Sequence, residues 1–527
     1  MTQEINIGLF ESQPGWKRIL EQEKVPWTLF DLDEPLEKYS VIIVNSKLSS
    51  EKEIAYLKDY LENSGSVLTS AENLRLIDKK QEISRIFIKK ITGSGPLLRN
   101  TNEVHIESYG YKIKNANHGT INNRHRAVLE LKYKKGTIIA LPFNLNSLLL
   151  DKRSKKQFFS SPHRPVKELV SLVSKGNIRR IIVNALHHLH SIRNLPYVHT
   201  WYYPKNYNTA FSFRVDVDKF LDEGINYVLG FLKKEKIRIT WFISAIDGKN
   251  HMNGIKRLYD AKQDIQSHAY EHLIYKSLEE NYSNIRKSNE ILGRIKKPIK
   301  GFCAPFGHWN KNLDLALEKL NYDYSSDYSL DYDNFPFYPF IENRDSRILQ
   351  IPIYPTCIAL MHMRLYSREM MKDYLSYLIQ MQYKKQMPLF LYDHPNDGIA
   401  EYPEIFFHTI KEIKKLHNTW LTTLTEFSCW WKKRESTNFK AEIKDNNINI
   451  TTKNKDKDIY IRIITKGHKE MRLPLIREKI DLNKITAEDI PEFMEKKIKK
   501  SAILKSQLSF KIFYTKILAR AILRRLI

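Results

Sequence analysis

Short apolar runs and longer amphipathic segments alternate along the first 175 residues of the chain. Short apolar runs are typical of buried strands, and a spacing of three to four residues is typical of helices. The strand candidates are Ile5–Phe10, Val41–Val44, Ser66–Ser70 and Lys135–Phe143, and the helix candidates are Gly15–Glu23 and Ser49–Asn63. This alternation predicts an α/β domain with an open parallel sheet over residues 1–175.

Residues 205–433 repeat the alternation at a spacing suited to strand–helix–strand units. The strand candidates are Ala210–Val217, Arg238–Ser244, Ile299–Cys303, Tyr322–Ser326, Ile348–Ile353 and Pro388–Tyr392. So many units in a segment of this length favour a β/α barrel over an open sheet.

A connecting helix and an extended lead-in are predicted between these two regions, over residues 176–204. This segment contains His187, His188 and His190. Such a cluster is compatible with metal binding, although packing on a helix is the more common role.

The pattern changes again near the C-terminal end. Short alternating runs separated by Asn, Asp and Lys turns predict a small antiparallel β domain over residues 434–490. The runs are Phe439–Ile443, Ile448–Thr452, Ile459–Ile464 and Met471–Leu475.

A basic tail over residues 491–527 ends the chain, and residues 496–527 hold ten Lys or Arg and no Asp or Glu. Apolar residues recur with partial helical spacing in Leu508–Ile527. This pattern predicts a basic amphipathic helix that lies on an anionic membrane or packs on its own domain.

The overall charge bears on the expected partners. The chain has 86 Lys and Arg against 60 Asp and Glu, a net charge of +26. Such a balance favours nucleic acid or an acidic membrane surface as a partner, or it simply keeps a Lys-rich surface solvated. Because no nucleic-acid-reading motif accompanies the charge, we do not expect a nucleic-acid partner.

Cysteine usage and the lack of targeting segments indicate the compartment. Cys303, Cys357 and Cys429 are far apart and show no CxxC spacing, which fits a reducing environment. The N-terminal residues lack a secretion-signal pattern, and no apolar run is long enough to span a bilayer. We therefore expect a cytoplasmic protein, with peripheral contact at the inner face of the membrane as an option for the tail.

Polar chemistry lies on one face of the strand candidate Ala210–Asp218 (AFSFRVDVD). Side chains alternate along a strand, so Ser212, Arg214, Asp216 and Asp218 share a face and the apolar residues share the other. Two buried carboxylates need a pairing cation, and barrel enzymes build their sites at such strand ends. A solvated edge strand is the alternative interpretation.

Two histidines in the segment SHAYEH are candidate metal ligands. His268 and His272 are four residues apart, so on a helical turn they would face the same way. Two imidazoles and a carboxylate form a ligand set that suits zinc and leaves positions open for water and substrate. The pair alone is a weak signal, and the upstream carboxylates strengthen it.

Two further segments have the composition of active-site loops. Gly301–Gly307 (GFCAPFG) suits a tight loop whose backbone approaches a substrate. In Leu389–Pro395 (LFLYDHP) a strand ends at Tyr392, and Asp393 and His394 follow at its tip. A histidine in that position can act as an acid or a base.

Together, the order and spacing of these segments resemble the polysaccharide deacetylase family (carbohydrate esterase family four) over roughly residues 205–430. The resemblance implies a distorted β/α barrel. It also implies metal-dependent hydrolysis of an N-acetyl group from an amino sugar in a glycan or glycan precursor.

The resemblance also assigns roles to individual residues. It implies Asp216 as the general base and His394 as the general acid. It implies Asp218, His268 and His272 as ligands of a divalent metal, for which we expect Zn²⁺.

The loop residues Pro305, Phe306 and Gly307 then lie beside the substrate. In this interpretation the backbone N–H of Phe306 helps to stabilise the oxyanion that forms when water attacks the acetyl carbonyl.

The chain departs from the family pattern at Cys303, where the family usually has an arginine that pairs with the base carboxylate. Arg214 lies two residues before Asp216 on the same strand face, so we expect Arg214 to replace that missing partner.

A second departure concerns the motif that the family usually writes as Asp-Trp. The corresponding region reads SSDYSLDYDNFPFYP. Asp327-Tyr328 and Asp331-Tyr332 both remain candidates for the position beside the substrate.

Residues 1–175 weakly resemble the class I glutamine amidotransferase fold. That family uses a cysteine nucleophile, and residues 1–302 contain no cysteine. The resemblance therefore implies a non-catalytic N-terminal domain. For the whole chain, a carbohydrate-binding relative of the deacetylases with weak or lost turnover is the alternative to an active enzyme.

Overall fold

A computed structural model describes residues 2–101, 103–159, 166–295 and 298–493, together with Thr515. The predicted amphipathic tail helix, Leu508–Ile527, lies outside the described residues except for Thr515. Within the part of the chain that is described, none of the helices combines the length and apolar composition needed to cross a bilayer.

The N-terminal domain is built on a nine-stranded sheet in the order β3-β2-β4-β5-β10-β9-β8-β6-β7. The strands of residues 2–171 are β1 (Gln3–Glu4), β2 (Ile7–Leu9), β3 (Trp27–Leu29), β4 (Val41–Val44), β5 (Ser66–Ser70), β6 (Ile83–Thr92), β7 (Val104–Ile113), β8 (His118–Ile121), β9 (His125–Tyr133), β10 (Gly136–Leu141), β11 (Ser154–Phe159) and β12 (Val166–Ser171). The helices are α1 (Pro14–Glu23), α2 (Glu51–Glu62), α3 (Ala71–Ile77), α4 (Leu145–Leu149) and α5 (Lys175–Ile192).

This sheet corrects the prediction of an open parallel sheet. The strands from β3 to β10 pair in parallel, whereas β10, β9, β8, β6 and β7 pair antiparallel. The antiparallel strands β6 and β7 carry charged and exposed residues among their apolar ones. Because only part of each strand is buried, these segments lack the continuous apolar runs that mark buried parallel strands.

Helix α5 belongs to the core of the N-terminal domain. Its residues Ile178, Ile181, Ile182 and Leu186 pack in the same apolar cluster as Leu9 of β2. Most of the segment 176–204, predicted as a connection between domains, is therefore a core helix of the N-terminal domain.

A parallel sheet in the order β21-β18-β17-β16-β15-β14-β22 forms the central domain, and β23 pairs with the start of β14. The strands of residues 197–421 are β13 (Tyr197–Thr200), β14 (Thr209–Val217), β15 (Thr240–Ile243), β16 (Asp264–Ser267), β17 (Gly301–Phe302), β18 (Tyr324–Ser325), β19 (Phe340–Ile341), β20 (Arg344–Asp345), β21 (Leu349–Gln350), β22 (Leu389–Asp393) and β23 (Thr419–Leu421). The helices are α6 (Asp222–Glu235), α7 (Ala245–Gly248), α8 (Met252–Asp260), α9 (Leu278–Leu292), α10 (Lys311–Lys319), α11 (Ile358–Met363), α12 (Arg368–Lys384), α13 (Pro403–Lys414) and α14 (Leu424–Glu435).

The parallel sheet forms a half-barrel, which fits the predicted β/α barrel. Past β21, the Tyr354 N–H donates to Phe390 O of β22 at 3.1 Å, so the two ends of the sheet approach each other. The apolar face of β14 packs outward as expected, with the Phe213 ring 4.9 Å from the Phe406 ring of α13. The polar face of β14 is therefore directed into the barrel. Arg214 and Asp216 lie near the carboxyl end of this face.

The C-terminal β domain has two four-stranded antiparallel sheets, in the orders β1-β24-β25-β28 and β13-β26-β27-β29. Its own strands are β24 (Phe439–Lys444), β25 (Asn447–Thr452), β26 (Asp456–Thr465), β27 (Lys469–Leu475), β28 (Lys479–Asp481) and β29 (Glu488–Asp489). Strands β1 and β13 come from distant parts of the chain, so this domain ties the N-terminal region to the end of the described chain.

A buried polar network joins the domains. The fully buried guanidinium of Arg179 on α5 pairs with the fully buried carboxylate of Glu23 on α1. The Tyr202 hydroxyl donates to the second oxygen of Glu23 at 2.7 Å, and Arg434 Nη2 of α14 donates to the Glu23 backbone oxygen at 3.1 Å. Through its carboxylate and its backbone oxygen, Glu23 therefore holds together residues of the N-terminal domain, the segment between α5 and β14, and the last barrel helix.

Replacing Glu23 with glutamine should destabilise the protein by about 3–5 kcal/mol, because it leaves the Arg179 charge buried without its partner. We expect a lower urea midpoint of unfolding. Glu82→Gln is the control, since its pair with Lys114 is largely exposed and should contribute about 0–1 kcal/mol. Equal midpoints for the two variants would contradict this assignment.

The same pair predicts a dependence on pH. Burial raises the pKa of Glu23, but the charges of Arg179 and His199 outweigh burial and lower it below its usual value. A lowered folded-state pKa means that the stabilisation is present above the carboxyl range and is lost as the pH falls through it. Unfolding midpoints should therefore drop on acidification more steeply in the wild type than in Glu23→Gln.

Candidate metal centre

The predicted site residues meet at the carboxyl ends of the barrel strands. Asp216 and Asp218 lie at the end of β14, and His268 follows β16 directly. Cys303 follows β17, and His394 follows β22. Parallel strands end at one edge of a sheet, which is why segments distant in sequence converge here.

Three ligand atoms form a compact triangle at this edge. Asp218 Oδ1 lies 3.2 Å from His268 Nε2 and 3.1 Å from His272 Nε2. The two Nε2 atoms are themselves 3.1 Å apart. Among the described residues these three side chains form one of the groups that could hold a metal ion.

A hydrogen bond from Nδ1 determines the tautomer of the His268 ring. Its Nδ1 lies 2.8 Å from the backbone oxygen of Cys303, which can only accept, so Nδ1 carries the proton. In the neutral imidazole, Nε2 then has a lone pair that points at Asp218 and His272.

The triangle fits a small divalent cation. Ligand atoms at about 2.0–2.1 Å from a tetrahedral zinc ion lie roughly 3.3–3.4 Å from one another, close to the separations observed. Asp218 Oδ1 is also buried and has no other hydrogen-bond partner within the described residues. A carboxylate and two imidazoles can therefore hold such a cation and leave further positions open for small molecules.

The expected helical turn through His268 and His272 is not present. The two histidines lie in an irregular loop, because β16 extends to Ser267 and Ala269 adopts a left-handed backbone with φ 64°. The Ala269 N–H donates to Ser267 Oγ at 3.2 Å and stabilises this reversal. The loop, and not helical spacing, brings the two rings together.

A buried arginine–carboxylate pair lies beside the triangle. Arg214 Nη2 donates to Asp216 Oδ2 at 3.0 Å, and Arg214 Nη1 donates to Ser326 Oγ at 3.1 Å. Cys303 Sγ approaches the same Asp216 oxygen at 3.7 Å, and burial raises the pKa of this thiol well above its usual value. Asp216 Oδ1 is buried and lacks a hydrogen-bond partner in the described part of the chain.

His394, directly after β22, lies at the same edge of the sheet as the triangle. Its Nε2 lies 3.7 Å from Asp218 Oδ2, and its Nδ1 lies 4.0 Å from Asp393 Oδ1. Asp393 is buried and accepts the Ile358 N–H at 2.7 Å. Burial raises the pKa of Asp393 to about 6, with the charge of His394 opposing that shift.

Asp393 is a residue whose role sequence reasoning missed. It was noted only as the neighbour of His394, although it holds a backbone N–H of α11 and faces the histidine ring. Its position at the end of an apolar strand was the available signal, because a carboxylate buried there needs hydrogen-bond donors.

The loop Pro305–Gly307 borders the triangle. Phe306 has φ 57° and is 59% exposed, and its ring centroid lies 4.7 Å from that of His272. Gly307 also has a positive φ, and an added Cβ would lie 2.4 Å from the Tyr328 ring. The close approach of Tyr328 thus requires glycine and fixes the loop over the site.

The two candidate pairs for the Asp-Trp position, Asp327-Tyr328 and Asp331-Tyr332, lie at different locations in the structure. Asp327 is buried beneath the loop, where Oδ1 accepts the Ala304 N–H at 2.8 Å and Oδ2 accepts the Ser325 hydroxyl at 2.6 Å. This carboxylate supports the loop and does not reach the mouth.

Asp331 and Tyr332 lie at the contact with the N-terminal domain. The Tyr332 hydroxyl is 3.2 Å from Ser174 Oγ. Burial raises the pKa of Asp331, and the nearby charge of Lys175 partly offsets this. Of the two candidate pairs, only Asp327-Tyr328 adjoins the loop beside the triangle.

Replacing His272 with alanine removes one of three converging ligand atoms. We expect the affinity for Zn²⁺ to fall by at least about 100-fold, because loss of a residue that merely orients a ligand already costs about 10–100-fold. Competition with a chromophoric chelator measures this affinity. His251→Ala is the control, since His251 pairs with Asp222 outside the triangle and should bind zinc like the wild type. Equal affinities for both variants would rule out the proposed ligand set.

Comparisons with known proteins agree with this location. The family model described as polysaccharide deacetylase matches residues 215–325, a segment that includes Asp216, Asp218, His268 and His272. A comparison with curated proteins gives no match.

Three solved structures illustrate the range of similar proteins. A candidate polysaccharide deacetylase from Mycobacterium smegmatis is 16% identical, with a TM-score of 0.39, over 45% of this chain and 95% of that one. A family 4 carbohydrate esterase from Streptomyces lividans is 14% identical, with a TM-score of 0.28, over 39% of this chain and 90% of that one. A pseudoenzyme of the same esterase family from Bacillus anthracis is 16% identical, with a TM-score of 0.30, over 43% and 68%.

The family match does not extend to the N-terminal region, where the glutamine amidotransferase resemblance stays a prediction. Around the metal triangle, the match over residues 215–325 supports a polysaccharide deacetylase domain.

Proposed function

We propose that the central domain removes an N-acetyl group from an amino sugar in a glycan or glycan precursor. The observation that carries the proposal is the triangle of Asp218, His268 and His272 beside a buried carboxylate with one free oxygen. A divalent cation, for which we propose Zn²⁺, would act there as a Lewis acid that polarises the acetyl carbonyl and makes water more acidic.

Asp216 is placed to accept the proton of the attacking water. Arg214 and Cys303 hold its Oδ2, which leaves Oδ1 without a partner in the described residues. A fixed carboxylate with one unpaired oxygen at the strand end has the geometry of a general base.

Arg214 takes the part of the arginine that the family has at the position of Cys303. Its guanidinium is anchored at the Ser326 hydroxyl and lies 5.1 Å from the centroid of the Tyr392 ring. Because both ends of the guanidinium are held, Arg214 fixes the orientation of the Asp216 carboxylate.

His394 is placed to protonate the departing amine. Its Nε2 faces Asp218 of the triangle, and buried Asp393 lies close to its second ring nitrogen. The backbone N–H of Phe306 adjoins the same space and is our candidate for stabilising negative charge on the acetyl oxygen.

A second candidate function is that of a carbohydrate-binding relative with little or no turnover. The observation that favours it is Cys303, a neutral thiol against Asp216 where the family has an arginine. One of the similar solved structures, from Bacillus anthracis, is described as a pseudoenzyme of the same esterase family. In this case the protein would bind acetylated sugars and release no acetate.

Replacing Asp216 with asparagine tests the assigned base. The change preserves shape and removes the proton acceptor, so kcat for acetate release should fall by about 10²–10⁴-fold. Acetate release from N-acetylglucosamine oligomers is the assay. Bound metal should match the wild type, because Asp216 is outside the ligand triangle. Wild-type turnover in this variant would contradict the assignment.

Replacing Arg214 with alanine tests the substitute for the missing arginine. We expect kcat to fall by at least about 10-fold, since the charged hydrogen bond that orients Asp216 contributes about 1.5–3 kcal/mol. Zinc content should stay near that of the wild type, and circular dichroism should confirm that the variant is folded. Full activity in a folded variant would refute the role of Arg214.

A further inference from the structure

The hairpin β11–β12 extends from the N-terminal domain to the mouth of the barrel. At its base, the Ser174 N–H donates to His105 O of β7 at 3.0 Å, and Lys155 pairs with Glu107 at 3.2 Å. At the same end of the hairpin, the Ser171 N–H donates to Tyr328 O of the barrel at 3.4 Å. The hairpin thus links the edge strand β7 to the residue beneath the Pro305–Gly307 loop.

One face of β12 is directed into the barrel. Val170 is fully buried and packs in the apolar cluster of the barrel, with Tyr328 and Tyr392 in the same cluster. Glu168 lies two residues earlier on the strand, so its side chain leaves the same face. The face that anchors the hairpin therefore also presents a carboxylate toward the mouth.

The surroundings of Glu168 agree with this placement. Burial raises the pKa of Glu168, and the hydrogen bond from the Leu169 N–H, followed by the charges of Arg364 and Lys156, partly offsets that shift. In turn, burial and then the charges of Cys357, Tyr328 and Glu168 raise the pKa of Tyr392.

Tyr392 connects Glu168 to the proposed catalytic residues. The ring of Tyr392 contacts the Arg214 guanidinium at 5.1 Å and lies 6.2 Å from the His394 ring. Because Val170 on the same strand face packs in the cluster that contains Tyr392, Glu168 lies on the side of the hairpin that faces this end of the barrel, although it belongs to a different domain.

We infer that Glu168 is a substrate-binding residue that the N-terminal domain contributes to the deacetylase site, where its carboxylate accepts hydrogen bonds from sugar hydroxyl groups. This inference rests on the proposed function. Glu168 Oε1 already accepts the Leu169 N–H at 2.7 Å, but each carboxylate oxygen has two lone pairs, so the carboxylate can still accept hydrogen bonds from vicinal hydroxyl groups. The exposed ring of Phe306 offers an apolar surface for a sugar face on the other side of the triangle.

The arrangement gives the N-terminal domain a role without requiring a nucleophile in it. The sugar site is assembled from two domains, and the hairpin fixes the position of Glu168 by packing Val170 into the barrel core. Binding of the sugar and chemistry at the acetyl group then depend on different domains.

Replacing Glu168 with glutamine or alanine tests the inference. We expect KM for N-acetylglucosamine oligomers to rise about 10-fold or more, because a hydrogen bond to a charged group contributes about 1.5–3 kcal/mol. We expect kcat within about 3-fold of the wild type and unchanged zinc content, since neither the triangle nor Asp216 is altered. Glu168→Asp should recover part of the affinity, and Glu82→Gln on the same domain should match the wild type.

Binding measured directly separates this inference from the proposed function. Calorimetry with the zinc-loaded protein and an N-acetylglucosamine tetramer reports affinity without turnover. If the wild type releases no acetate but binds about 10-fold more tightly than Glu168→Gln, the deacetylase proposal fails and the inference stands. Equal KM and equal affinity for the two proteins, or no binding by the wild type, would overturn the inference.

Discussion

The arrangement of the barrel mouth depends on the close approach of three potential ligand atoms, one carboxylate oxygen and two imidazole nitrogens. Asp218 Oδ1 and the Nε2 atoms of His268 and His272 lie within 3.2 Å of one another, a separation that a proton or a bound metal cation between them stabilises. The Cys303 carbonyl directs the His268 lone pair inward by accepting the proton on the other nitrogen. The neighbouring carboxylate of Asp216 is held by Arg214, and in our proposal it acts as the base.

The scaffold holds these groups through contacts that span the chain. Parallel strands bring β14, β16, β17 and β22 to one edge, while the buried pair of Glu23 and Arg179 joins the N-terminal domain to the barrel. The sheets of the C-terminal β domain include β1 and β13. They therefore join both ends of the described chain to the segment between α5 and β14. A site that needs positions accurate to a fraction of an ångström benefits from such rigid surroundings.

Local pattern was sufficient for some features and insufficient for others. The apolar runs at Val41–Val44 and Ser66–Ser70 coincide with strands, and the alternation along β14 placed Arg214 beside Asp216 before any contact was known. The antiparallel half of the N-terminal sheet was missed, because partly exposed strands lack continuous apolar runs.

Long-range effects explain the remaining differences. The loop through Ala269 is held by α7, whose Ala245 N–H donates to Ala269 O at 2.9 Å, whereas spacing alone suggested a helix. Separating Asp327-Tyr328 from Asp331-Tyr332 required knowledge of the contact with Ser174, a residue distant in sequence. The approach of β12 to the barrel likewise depends on interdomain packing that no local periodicity records.

The central claim is that Asp218, His268 and His272 bind one divalent cation. The most direct measurement is anomalous diffraction at the zinc absorption edge from crystals grown with zinc. We expect one strong peak at about 2.0–2.2 Å from an oxygen of Asp218 and from Nε2 of both histidines. Zinc bound elsewhere while this triangle stays unligated would contradict the account.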